Sequence, residues 1–111
     1  MSSFNKREKG EEAKYALNEE LAFKVNARRN RLLGLWAAER MGIEGQDAEA
    51  YAKECVLADF EEPGEEDVYR KVMADLKKAN ASVPEHDMRR KMASLVETAR
   101  EQVENEAKGA A

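Results

Sequence analysis

Leu17 to Trp36 reads LNEELAFKVNARRNRLLGLW, and this stretch decides the fold. Projected at about 3.6 residues per turn, Leu17, Leu21, Val25, Leu32, Leu35 and Trp36 fall within roughly 100° of arc, the stripe of an amphipathic helix. Gly42 and Gly45 bracket its expected end. Gly34 lies inside the pattern, where it costs helix stability; close packing against a neighbour is a better reading than a break. Extended backwards, the stripe meets Lys14, Gly10 or Glu11, and Arg7, none of them apolar. It therefore stops at Leu17. A short helix with no core-facing side is marginal in water, so residues 1–16 are expected to form a mobile segment in the free protein.

Three further helices follow from the same reasoning. Asp47 is a good N-cap for a second helix running to about Glu62, before Pro63-Gly64, with Ala48, Ala52, Cys55, Val56 and Phe60 turned inward. Glu65-Glu66-Asp67 places three acids at the positive end of a third, which continues through Val68, Val72, Met73 and Leu76 and frays near Asn80. Ser82 and Glu85 fit a capping box for the fourth, with Met88, Met92, Leu95, Val96, Ala99 and Val103 at helical spacing. The expectation is an all-α four-helix bundle over residues 17–106, with residues 107–111 frayed.

Composition agrees with that pattern. The 111 residues suit one domain; 38% are charged, 6% aromatic, and only 2 are proline. The single cysteine excludes an internal disulfide, and no apolar run approaches the roughly 20 residues of a membrane span. A soluble, cytoplasmic chain without a signal peptide, monomeric when free, is expected. The net charge of −4 is unevenly spread: Met1 to Ile43 carries nine basic and six acidic residues, Glu44 to Asp67 one lysine against ten acids, and the remainder nine basic and seven acidic. Such segregation reads as complementarity within the molecule or a solvated acidic face, and the overall sign argues against general nucleic-acid affinity.

Catalytic machinery is not visible. The chain has no Gly-rich phosphate loop and no cysteine pair for zinc. His86, the only histidine, reads as a surface residue, and Cys55 as a small buried hydrophobe. No enzyme activity, cofactor or metal is expected. Two features ask for more than a plain bundle. Arg28, Arg29 and Arg31 form a basic cluster suited to structural ion pairs, with Glu39 or acids of the second or third helix as partners, or else to phosphate. The charged segment from Phe4 to Lys9 is either a disordered tail or a stretch that folds on a partner. A small helical adaptor, or a nucleic-acid-binding protein using Arg28, Arg29 and Arg31, are the competing readings.

Several blocks resemble a known family. Phe4…Arg7-Glu8-Lys9, Glu12-Ala13-Lys14-Tyr15-Ala16 and Glu19-Glu20-Leu21 look like the opening of the alphaproteobacterial ATP synthase inhibitor zeta family. Ala27-Arg28-Arg29-Asn30-Arg31-Leu32-Leu33-Gly34-Leu35-Trp36-Ala37-Ala38-Glu39 resembles its most recognisable stretch, and Asp59 to Lys71 and Arg89 to Met92 its middle and last helix. The resemblance runs from Phe4 to about Gln102. It implies a four-helix bundle outside the soluble ATPase head, and an N-terminal segment that inserts at a catalytic interface between alpha and beta subunits, becomes helical and blocks ATP hydrolysis. It implies Phe4, Arg7, Glu8, Lys9, Glu12, Lys14 and Tyr15 as contact residues, and a location peripheral to the inner membrane through the synthase. This chain departs from the family at Gly10-Glu11, where an alanine followed by an aromatic or histidine is expected. A helical glycine costs about 1 kcal/mol relative to alanine, which predicts a weaker inhibitor.

Overall fold

The computed structural model describes the backbone of residues 2–61 and 65–109, and the side chains of residues 19–59 and 65–109. Four helices account for it: α1 (Ser2–Arg40), α2 (Gly45–Glu61), α3 (Glu66–Lys78) and α4 (Glu85–Gly109), with no strand among the described residues. They form a four-helix bundle around the C-terminal half of α1. At about 1.5 Å rise per residue, the 39 residues of α1 make a rod roughly 58 Å long, which sets the 64 Å long axis of the molecule.

Two clusters hold the bundle together. In the main one, Leu33, Ala37 and Ala38 of α1 meet Tyr51 and Cys55 of α2, Val68, Val72 and Leu76 of α3, and Met88, Met92 and Leu95 of α4. In the smaller one, Val25 packs against Ala99 and Val103 of α4, with Leu21, Leu32 and Val96 at its edge. The α1 stripe is accordingly centred differently from its reading in sequence. Leu32, Leu35 and Trp36 are only partly buried, while Leu33, Ala37, Ala38, Arg29 and Asn30 are buried. Three helices surround this part of α1, so its buried arc is wide, and its centre is lined by small residues that let backbones approach. Gly34 marks the closest approach: a Cβ there would lie 2.7 Å from Ala52 Cα and 3.1 Å from Cys55 Sγ. Leu17 and Phe60 lie outside the residues whose side chains are described.

The helix ends follow from local chemistry. Gly42 ends α1 in the left-handed conformation (φ 77°), its N–H bonding Glu39 O at 3.1 Å while Ile43 N–H bonds Ala38 O at 2.8 Å. Asn80 repeats the device after α3 (φ 57°), with Asn80 N–H to Lys77 O at 3.1 Å and Ala81 N–H to Leu76 O at 2.8 Å. The stop near Asn80 is thus a defined cap, where fraying was expected. α2 begins at Gly45, two residues before the expected Asp47, which falls in its first turn. α4 stays helical to Gly109, past the point where its apolar pattern ends, because Glu106 still has a partner on α1. The helix of α1 likewise continues to Ser2.

Candidate functional site

The two groups of residues that stood out in sequence sit at different places on one rod. Positions 4, 7, 8, 9, 12, 14 and 15, occupied by Phe4, Arg7, Glu8, Lys9, Glu12, Lys14 and Tyr15, lie on the first turns of α1; their side chains are outside the described residues. The helical register brings positions 4, 8, 12 and 15 within about 80° of arc.

The arginine cluster lies one to two turns before the main core, and each arginine reaches a different neighbour. Arg28 donates from Nη1 to Gln102 Oε1 at 2.8 Å and from Nη2 to both oxygens of Glu106 at 2.6 and 2.8 Å. Arg29 is buried, donating from Nε to Asn30 Oδ1 at 2.9 Å and from Nη1 to Glu65 Oε2 at 3.4 Å. Arg31 pairs with Glu49 on α2 at 2.9 Å. None of these partners is Glu39, the acid on α1's own stripe; they come from α4, the lead-in to α3, and α2. Glu65 also receives Arg89 of α4 at 3.4 Å, and Arg89 in turn stacks 3.7 Å from the Tyr69 ring centroid. The guanidinium groups are therefore committed to carboxylates, and a phosphate would have to displace them. Exposed pairs of this type contribute little stability each but define geometry.

A second polar arrangement, not visible in sequence, joins α2 to α3. Tyr51 donates to Asp75 Oδ2 at 2.8 Å, and Lys71 Nζ bonds the same oxygen at 3.1 Å and Glu54 at 3.4 Å. Burial, reinforced by the Asp75 hydrogen bond, pushes the Tyr51 phenol well above the usual tyrosine range. Burial also pushes the Cys55 thiol up to about 11, so it stays protonated and unreactive. For Lys71, burial pulls downward but is outweighed by Asp75 and Glu54, leaving its ammonium favoured beyond the ordinary lysine range. No sequence signal points to this seam, since Tyr51 and Asp75 lie 24 positions apart on different helices.

Among the described residues no group of three or more His, Cys, Asp or Glu could hold a metal ion, and no helix is long and apolar enough to cross a membrane. His86 is exposed. What the molecule offers is a bundle with one helix much longer than the rest. The sequence profile of the ATPase inhibitor subunit zeta matches residues 1–102, covering both the long helix and the bundle. The chain belongs to that family. A zeta-family chain is by that description an inhibitor subunit of an ATPase, a role that fits the absence of visible catalytic machinery in the sequence. A protein with a solution NMR structure is 50% identical to this zeta-family chain, with a TM-score of 0.67, over 76% of this chain and 95% of that one. No curated protein matches it.

Proposed function

We propose that the chain inhibits ATP hydrolysis by the F-type ATP synthase, its N-terminal segment inserting at an interface between the alpha and beta subunits while residues 17–106 remain outside. The observation that carries this reading is the length of α1: 39 residues, against 25 for the next longest helix, α4. The apolar stripe in the sequence of α1 begins at Leu17 while the helix begins at Ser2, so a helical stretch without that stripe lies N-terminal to it. In the free protein residues 1–16 are mobile; on the enzyme they are ordered as a helix. Phe4 and Tyr15 are the apolar anchors, and Arg7, Glu8, Lys9, Glu12 and Lys14 set register and association rate. Obstruction of rotation needs no catalytic residue. The protein is cytoplasmic and reaches the membrane only through the synthase.

Deleting residues 2–16 tests this directly. Inhibition of the purified ATPase head is lost, while stability to unfolding changes by no more than about 0.5 kcal/mol, as for a segment that makes few buried contacts. A truncated chain that inhibits at full strength overturns the reading.

A further inference from the structure

Two attachments fix a rod in space, and α1 has two of very different quality. The first is the main core at Leu33, Ala37 and Ala38, reinforced by the close approach at Gly34. The second is the contact with the last turns of α4, where a single buried α1 side chain, Val25, sits against Ala99 and Val103. That second contact is narrow. A cleft of about 320 Å³ lined by Leu21, Val25, Val96 and Arg100 opens on one side. Another of about 320 Å³, lined by Ala27, Val56 and Val103, opens on the other. Apolar packing with an opening on both sides leaves α1 free to swing.

What removes that freedom is Arg28, one turn from Val25. Its planar fork takes two acceptors at once, Gln102 at 2.8 Å and both oxygens of Glu106 at 2.6 and 2.8 Å. Residues 99, 102, 103 and 106 recur at helical spacing, so one face of α4 supplies both the apolar seat and the polar clasp. We infer that Arg28 is a positioning residue: its clasp to Gln102 and Glu106 sets the direction in which α1 leaves the bundle, and so where the N-terminal segment meets the ATPase. The inference rests on the inhibitory reading above. The leverage is large. Taking Gly34 as pivot, Arg28 is six residues away and Leu17 is 17, roughly 9 and 26 Å at about 1.5 Å per residue. A shift of about 1 Å at Arg28 therefore becomes roughly 3 Å at Leu17, where the mobile segment begins, and re-aims everything N-terminal to it.

A charge exchange tests it in the full chain. Arg28→Glu and Glu106→Arg each weaken inhibition about tenfold, and the double exchange recovers most of the loss, as expected for residues coupled in one network. Spin labels at Glu20→Cys on α1 and Lys53→Cys on α2 read the direction of α1 independently of any inhibition; Cys55 is buried and stays unlabelled. The distance distribution broadens with Arg28→Glu and narrows again in the double exchange. An unchanged distribution in the single variant overturns the inference, as does a double exchange that restores neither distance nor potency. Failure of the inhibitory reading shows elsewhere, in a chain lacking residues 2–16 that still inhibits.

Discussion

The two halves of α1 belong to one unbroken helix and obey different rules. Between Arg29 and Ala38 it is held by its surroundings: Gly34 lets α2 come close, Ala37 and Ala38 are fully buried, and helix propensity there is secondary. Over residues 2–16 the sequence carries no apolar stripe, and under the proposed function the helix there draws on local propensity until a partner covers it. A glycine therefore means opposite things in the two halves. Gly34 is a space that packing requires; Gly10, under the proposed function, is a weakness in a segment that acts as a helix.

The comparison breaks first at Leu33. It is fully buried at the centre of the main cluster, and Leu33→Ala lowers unfolding free energy by about 3 kcal/mol, read by denaturant titration. A cost below that of a surface change would mean that the core does not centre on this residue. The same substitution at the two glycines then sharpens the contrast. Gly34→Ala forces a methyl against the Ala52 backbone and destabilises the bundle by about 2 kcal/mol, despite alanine's better helix propensity. Calorimetry of the variant checks the sign: a stabilised protein would show that α2 can move aside at no cost.

Alkaline pH probes the α2–α3 side of the bundle. The folded state keeps the Cys55 proton up to about 11, whereas an unfolded thiol loses it near about 9. Between those values the folded state binds more protons, so stability is intact below about pH 9 and falls as pH rises, by roughly 1.4 kcal/mol at pH 10. Tyr51 and Lys71, both raised, add losses of the same sign at higher pH. Cys55→Ser flattens the curve near pH 9 to 10; an unaltered pH profile in that variant would discount the thiol. The smallest effect lies in the other half of α1. Gly10→Ala tightens inhibition by about 1 kcal/mol through helix propensity, leaving the melting temperature where it was. Equal potency of the two chains would mean that the segment does not act as a helix at position 10.

Four helices and most of their inward residues were legible because period-3.6 patterns report them well. Val68, Val72 and Leu76, and Met88, Met92, Leu95, Ala99 and Val103, are buried where the spacing put them. The centre of the α1 stripe was harder to read. Large residues drew the eye to Leu32, Leu35 and Trp36, whereas the tightest packing belongs to alanines and a glycine, which carry almost no hydrophobic signal. The arginine cluster was visible, but its partners were not: Glu49, Glu65 and Glu106 are 18, 36 and 78 positions away in the chain, and only the fold brings them near. Tyr51 was hidden for the same reason, since a phenol can be buried here only because Asp75 on the next helix accepts its hydrogen bond.

Trp36 carries a practical consequence. It is the chain's only tryptophan, and its ring centroid is 5.2 Å from the Arg40 guanidinium and 5.8 Å from the Lys91 ammonium. It reports optically on the α1–α4 junction and on nothing in residues 2–16. Intrinsic fluorescence thus follows folding without sensing engagement of the N-terminal segment, and a dye placed near Phe4 would supply the second, independent colour.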